Sequence, residues 1–502
     1  MKRQLAGPVR CRVYGHWIDG KDVPSASLID RVNPESGLVV SQYAEGTAQD
    51  AARAIKSAKD AFESEVWSRM PSAKRAKILN RWAALVEAAS EELIAIEVEE
   101  AGKIHRVAKG DIEGTVELIS YAAAAALNIS GQTFMDVGDG LNGFVVKEPI
   151  GVVGAIVPWN FPTIIFAQKV PLALAAGCSV VVKPSEFTSG TAIELARLAK
   201  SAGIPDGVLN VVTGFGDPVG RTISESPDIE LVSFTGSTRT GREILKGQQV
   251  NFKRISLELG GKSAAIVFSD ADLEAAADGV LFSIFMHQGQ VCCAGSRLLV
   301  QEAIADRFVE ILASRARGLR LGTLADQATD LGPLISPAHV TLVHGHVEAA
   351  KEKGARVICG GEVVGQQAYP DAPAQTYLPT ILDGVRPEMP VFRDEIFGPV
   401  LTVTRFQSKE EAVELANNSD YGLAGSVWTK DIQTAFYVAQ RVRTGTIEIN
   451  TCLEGKPQLP FGGYKASGLG REKGQAGLDE FMEVKTIALR TTPKGSFFTR
   501  QG

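Results

Sequence analysis

The sequence predicts an α/β protein of two or three domains organised around parallel sheets. Three observations carry that expectation. The chain has 502 residues, more than one hydrophobic core serves at roughly 100–200 residues per domain. From residue 151 onward, short runs rich in Val and Ile replace the helical periodicity of the first part, as in strands buried on both faces. Helix-length segments separate those runs, and this alternation is the pattern of a doubly wound sheet.

Residues 47–66 set Ala51, Ile55, Ala58, Phe62 and Val66 on one helical face, and 78–96 do the same with Ile78, Trp82, Leu85, Ala89, Leu93 and Ile96. The first part of the chain therefore reads as mostly helical. Strands follow at 152–157, 179–183, 208–212, 231–234 and 255–259, with helices over 163–176, 190–202 and 237–247 between them. Ligands of such sheets bind at the carboxyl ends of the strands. A second alternating region opens with a strand near Ala264, a helix over 270–286 and a strand over 297–300, and it runs to about Ile449. Gly, Pro and Gln make 360–376 a surface loop. Residues 480–490 alternate through Phe481, Val484, Thr486 and Ala488, as for a strand that pairs with another part of the fold or with another subunit. No internal repeat interrupts this order.

Apolar residues make up 45% and charged residues 22%, which excludes global disorder. Lys and Arg total 52 against 58 for Asp and Glu, a net charge of −6 that argues against nucleic acid as a partner. The cysteines, at 11, 178, 292, 293, 359 and 452, show neither CxxC nor metal-ligand spacing. Lys2, Arg3, Arg10 and Arg12 precede no apolar h-region, and no apolar stretch reaches the roughly 20 residues of a membrane span. A soluble cytoplasmic protein is the expectation.

Several short motifs have a chemical reading beside an ordinary one. Cys292, in Gly289-Gln-Val-Cys-Cys-Ala294, lies in a Gly-containing loop and reads either as a reactive thiol or as an inert buried one. Glu258, between Leu257 and Leu259 at a strand end, is either a general base of raised pKa or an exposed strand residue. The following Gly261-Lys262-Ser263 is no Walker A loop, because Ser256 stands where the first glycine is required. Two glycine patterns compete to hold a dinucleotide: Gly214-Phe-Gly216-Asp-Pro-Val-Gly220, and Phe234-Thr-Gly236-Ser237 after a strand and before a helix. Asn160, directly after a strand, can donate to an oxyanion or merely cap a turn. Lys183 and Glu186 end the next strand and suit a ribose or solvent equally.

Taken together, Pro158-Trp-Asn-Phe-Pro162, Val182-Lys-Pro-Ser-Glu186, Phe234-Thr-Gly-Ser237, Leu257-Glu-Leu-Gly-Gly-Lys262, Gly289-Gln-Val-Cys292, Glu395-Ile-Phe-Gly-Pro399 and Pro460-Phe-Gly-Gly-Tyr-Lys465 resemble the NAD(P)-dependent aldehyde dehydrogenase superfamily. The resemblance runs in order from about Tyr14 to Arg490. It implies that Cys292 is the nucleophile and Cys293 its neighbour, that Asn160 and the Cys292 N–H stabilise the oxyanion, and that Glu258 activates Cys292 or the hydrolytic water. It links Lys169 and Glu472 to proton relay. It also places Lys183 and Glu186 at the adenosine ribose, Ser237 at a phosphate, Ile156 and Trp159 at the cofactor's walls, and Glu395 with Phe397 at the nicotinamide ribose and ring. Gly216, Phe234 and Gly236 complete the expected cofactor set. A carboxylate at 186 repels a 2′-phosphate, which favours NAD, with NADP as the alternative.

The resemblance further implies a Rossmann-like cofactor domain of 1–128 and 149–260, a catalytic domain of 261–466, and a small β bridging element of 129–148 and 467–502 that joins a homodimer or homotetramer. The expected substrate tunnel has Phe161, Gln168, Val291, Cys293 and Phe461 in its walls, together with Tyr121, Ala122–Ala126, Ile165, Met286, His287 and 451–459. Gln168 and the alanine run suggest a roomy, partly polar tunnel. Glu454 favours a cationic aldehyde, Lys456 or His287 a carboxylated one, and the sequence leaves the two open. Three other functions remain: a CoA-acylating semialdehyde dehydrogenase, a catalytically silent NAD-binding protein, and a Cys-His hydrolase using Cys292 and His287.

Overall fold

The computed structural model describes residues 11–247, 252–365, 367–494 and 498. The expectations that fall on 1–10 and on the end of the chain after 494, other than 498, lie outside the described residues. Period-two alternation in the Val-rich runs builds an eight-stranded sheet. Its order is Gly468–Leu469, Arg254–Glu258, Leu231–Thr235, Val152–Ile156, Ser179–Lys183, Leu209–Val211, His16–Ile18 and Lys21–Val23, with the five from Arg254–Glu258 to Leu209–Val211 parallel. Val153, Ala155, Val180, Val182 and Leu231 point to one core, and Val152, Ile156, Val181, Val232 and Phe234 to another. Each fully buried Val contributes roughly 1.5–3 kcal/mol relative to exposure. Helices therefore cover both faces, and the ligand edge is left where the strands end.

A second sheet of seven strands runs Arg356–Cys359, Thr380–Asp383, Val400–Phe406, Arg297–Gln301, Ala264–Val267, Gly425–Trp428 and Glu448–Ile449. Only Arg356–Cys359 is antiparallel to its neighbour. A third sheet pairs Met482–Arg490 with Leu141–Pro149 over their whole length, and Leu141–Pro149 with Gln132–Phe134. The strand expected at the end of the chain thus pairs within its own fold. The preceding Gly468–Leu469 joins the eight-stranded sheet beside Leu257 and Glu258.

The helical reading of the first part needs two corrections. Residues Arg12 to Ala44 form short strands, among them the hairpin His16–Ile18 and Lys21–Val23, whose turn residues Asp19 and Gly20 both have positive φ. Strands of three residues are too short for periodicity to show, although Asp-Gly is a hairpin signal. The single helix expected over 78–96 is two, Ser72–Ala88 and Ser90–Ala101. Ser90, Glu91 and Glu92 form a first turn that suits the positive end of a helix dipole, so the chain restarts there and aims a new stripe inward. The helix Ala48–Glu63 starts as expected, at a capping box between Thr47 and Asp50. No helix among the described residues is long and apolar enough to cross a membrane.

Candidate active site

Strand register sets the site. Thr235 lies opposite Glu258, Phe234 opposite Ile156, and Ile156 opposite Lys183, so all five stand along the carboxyl edge of the first sheet. The turn Trp159–Phe161 leaves that edge and leads into the helix Pro162–Ala176. From the other side comes the loop of Cys292, after a turn in which His287 and Gln288 take positive φ. Gly289, with φ 70°, is required there because a Cβ would stand 2.2 Å from the Gly398 carbonyl oxygen. The Asn160 amide ties the two sides together by donating from Nδ2 to the Gln290 carbonyl at 2.9 Å. A primary amide has a second N–H, which leaves Asn160 one donor beside the Cys292 loop.

Cys292, Cys293 and Glu258 line one cavity of about 1220 Å³. Burial, then the charge of Glu472, pushes the Glu258 carboxyl well above the ordinary carboxylate range. Both of its oxygens lack a hydrogen-bond partner among the described residues. Gly462 lies against it, since a Cβ there would stand 2.7 Å from Glu258 Oε1. Behind Glu258, the buried Lys169 donates to Glu472 and, at 2.9 Å, to Ser233 Oγ. Glu472 in turn exchanges backbone hydrogen bonds of 2.7 Å with Phe461, which faces the cavity.

The adjacent thiols compete for one negative charge. The hydrogen bond between them, followed by burial, raises Cys292, while the same bond lowers Cys293, which also faces Lys473. The two thiols therefore titrate as a pair; Glu395 and Glu258 raise Cys292 further, and Glu258 also interacts with Cys293.

Toward the other end of the edge, Lys183 Nζ donates to the Pro184 carbonyl at 3.0 Å and lies 3.6 Å from Glu186. Burial lowers the Lys183 ammonium, and Glu186 opposes that shift. Ser237 accepts from the Thr240 N–H at the start of the helix Thr238–Gly247. Gly220 borders the same edge, since a Cβ there would meet Lys183 and Ile156, whereas one at Gly216 would meet nothing within 4 Å. Gly220 of the first glycine pattern and Phe234 of the second thus stand at the edge where ligands of such sheets bind. Glu395, pushed up to about 7 by burial, accepts from the Gly261 N–H at 3.0 Å. The Phe397 ring packs edge-on against Trp159, with centroids 5.5 Å apart.

The cavity wall differs from the expected tunnel chiefly in one helix. Phe161, Gln168, Val291, Cys293 and Phe461 line it, as do Ile165 and Met286. From the helix His105–Ala126, however, Val107, Gly110, Asp111, Gly114, Glu117 and Leu118 face the cavity, and Tyr121 and Ala122–Ala126 do not. Ala122, Ala123, Ala125 and Ala126 pack into the core, and Ala124 is exposed. A turn of 3.6 residues puts 107, 110, 111, 114 and 118 on one stripe, and no apolar periodicity marks it because two of its members are glycines. His287 is buried edge-on against Phe161, 5.3 Å between centroids, and lies outside the wall, as does Lys456. Lys473 and Glu448 line the cavity without any signal in their spacing.

The sequence pattern of the aldehyde dehydrogenase family matches residues 17–487. The chain belongs to that family. An NADP/NAD-dependent aldehyde dehydrogenase, PuuC, of Escherichia coli (strain K12) is 44% identical over 94% of each chain. A betaine aldehyde dehydrogenase of Bacillus subtilis (strain 168) is 42% identical over 96% of this chain and 97% of its own. Among solved structures, an NAD-dependent aldehyde dehydrogenase of Sinorhizobium meliloti has a TM-score of 0.95 at 45% identity, covering 98% of this chain and 97% of that one. Betaine aldehyde dehydrogenase of Staphylococcus aureus in complex with NAD+ has a TM-score of 0.94 at 38% identity, covering 97% of both chains. As an aldehyde dehydrogenase, the chain needs a nucleophile, an oxyanion site and a base beside a hydride-accepting cofactor; the side chains described above include candidates for the first three.

Proposed function

We propose that this aldehyde dehydrogenase oxidises a bulky aldehyde to its carboxylic acid with NAD, through a covalent intermediate on Cys292. The observation that carries this reading is that Cys292 and Glu258 line one cavity at the strand ends, with the Asn160 amide bound to the backbone of the Cys292 loop. The Cys292 thiolate adds to the carbonyl carbon, and the new oxyanion accepts from the free Asn160 N–H and the Cys292 backbone N–H. When bound, NAD supplies the hydride acceptor. Cys292 is left as a thioester, and Glu258 takes a proton from the water that attacks it. Glu472 and Lys169 carry that proton away from Glu258.

The edge residues fit the cofactor. Among the described residues, Thr235 Oγ1 is buried without a partner, and Lys183 Nζ has only the Pro184 carbonyl and Glu186 as polar partners. Lys183 and Glu186 would hold the adenosine ribose, and Ser237 with its helix N-terminus a phosphate. Ile156, Trp159, Gly216, Phe234 and Gly236 would form the walls, and Glu395 and Phe397 would face the nicotinamide ribose and ring. The domain division given above frames this reading, as do a cytoplasmic setting and a homodimer or homotetramer. Support for assembly comes from the strand Met482–Arg490, whose Val484, Ile487 and Leu489 are exposed. Changing Glu186 to Ala is expected to raise kcat/KM for NADP relative to NAD roughly tenfold, about 1.4 kcal/mol. Steady-state rates with each cofactor check it, and an unchanged ratio removes Glu186 from cofactor choice.

Substrate size follows from the wall. Leu118, Ile164, Ile165, Phe285 and Val291 make the interior apolar, and the exposed rim carries Glu117 and Glu454. Arg106 and Asp330 pair at 2.6 Å, and Arg315 pairs with Asp278. Those acids disfavour a carboxylate tail. A Cβ on Gly110 would enter open space, so Gly110→Phe is expected to cut kcat/KM for aromatic and long-chain aldehydes at least ~10-fold and to spare acetaldehyde. Equal loss on both would show that the helix does not set size. NADH formation from aliphatic, aromatic, amino and carboxylated aldehydes tests the whole reading; no turnover without CoA would sink it.

A further inference from the structure

Behind the turn that carries Asn160 lies a buried ionic cluster that none of the steps above uses. Lys103 follows Gly102, the left-handed residue between the helices Ser90–Ala101 and His105–Ala126. Its ammonium is fully buried and donates to Glu97 Oε2 at 2.8 Å and to Asp111. The same nitrogen stands 4.5 Å from the centroid of the Phe161 ring. Glu97 turns its other oxygen to the helix Pro162–Ala176, accepting from the Thr163 backbone N–H at 3.2 Å and from the Thr163 hydroxyl. That helix has no side-chain cap of its own at Phe161. A carboxylate at a helix N-terminus satisfies an orphan donor and complements the dipole, so Glu97 supplies from a distant helix what the local sequence lacks.

Two contacts thus fall on consecutive parts of one turn, the cation on the ring of Phe161 and the carboxylate on Thr163. Phe161 in turn packs edge-on against His287, in the strained turn that leads to Cys292. Asn160, one residue before Phe161, spans to Gln290 on that same loop. Burying a lysine with two carboxylates is costly unless each charge is satisfied. Here Glu97 and the ammonium itself also touch the segment that presents the oxyanion donor.

We infer that Lys103, with Glu97 as its partner, is a positioning residue that sets the Asn160–Phe161 turn and thereby the oxyanion donor. The inference rests on the reading of Asn160 above. Misplacement of a reacting group by about 1 Å can cost on the order of 10²-fold in rate. Lys103→Met is therefore expected to lower kcat roughly 10- to 100-fold both for aldehyde oxidation and for hydrolysis of 4-nitrophenyl acetate, since both pass through an oxyanion. Iodoacetamide alkylation of Cys292, which forms no oxyanion, and the dissociation constant for NAD should stay within about twofold, and Lys103→Arg should recover part of the loss.

The deciding measurement is a double-mutant cycle with Asn160→Ala, in which residues acting through one another give effects that fail to multiply. The combined Lys103→Met and Asn160→Ala enzyme is expected to be no slower than Asn160→Ala alone. If Lys103→Met does not fold, Glu97→Gln, which keeps the shape and an acceptor for Thr163, takes its place in the cycle. Effects that multiply, or an alkylation rate and NAD affinity that fall in parallel with kcat, overturn the role of Lys103 and leave Asn160 standing. An Asn160→Ala enzyme of wild-type rate instead overturns the reading of Asn160, and the positioning role with it.

Discussion

Cys292→Ala is expected to lose on the order of 10⁴-fold or more in kcat/KM, while Cys293→Ala keeps its rate within a few-fold. Ionisation does not separate the two, because they share a proton across the hydrogen bond between them. Position separates them. Asn160 reaches the backbone two residues before Cys292, and Glu395 acts on Cys292, while Glu258 interacts with both thiols. Two thiols that share a proton titrate as a pair, so removing Cys293 also removes the group that chiefly raises Cys292. The pH midpoint for alkylation of Cys292 should then shift downward in Cys293→Ala. NADH formation and iodoacetamide inactivation across pH check both statements. An active Cys292→Ala enzyme, or a dead Cys293→Ala enzyme, reassigns the nucleophile.

The parts of this protein that were legible in the sequence are those in which one physical constraint acts locally. Strands buried on both faces must be continuously apolar, so Val152–Ile156 and Ser179–Lys183 stand out; their carboxyl ends then locate Asn160, Lys183, Glu258 and Ser237. The short strands before Ala44 escaped, since pairing across the sheet rather than periodicity holds them. In the site, motif order led to Cys292 and Glu258, but the wall from Gly110 and Gly114 could not be seen, because a glycine contributes there by the side chain it lacks. Lys103, Glu97 and Asp111 were also silent. Each is an ordinary charged residue on a helix until tertiary packing brings them beneath Phe161.

Glu258→Gln should leave formation of the thioester nearly intact and slow its hydrolysis about 10²–10⁴-fold, the usual worth of a general base. A burst of NADH equal to the number of sites, followed by a slow steady rate, is the expected trace. The buried carboxyl, raised by desolvation and by Glu472, is protonated at a pH where an ordinary Glu is ionised. Wild-type turnover should therefore climb with pH through a midpoint above the usual carboxylate range, and that limb should vanish in Glu258→Gln. The same shift acts on the fold. Between the unfolded and folded pKa values the native state binds more protons than the unfolded one, so stability falls as pH rises through that window. Glu258→Gln escapes the cost and should melt at a higher temperature than wild type once the pH passes the ordinary carboxylate range. A variant without a burst that is slow from the first turnover would make Glu258 the activator of Cys292 rather than of water. Full activity together with an unchanged pH limb would remove the base from position 258 altogether.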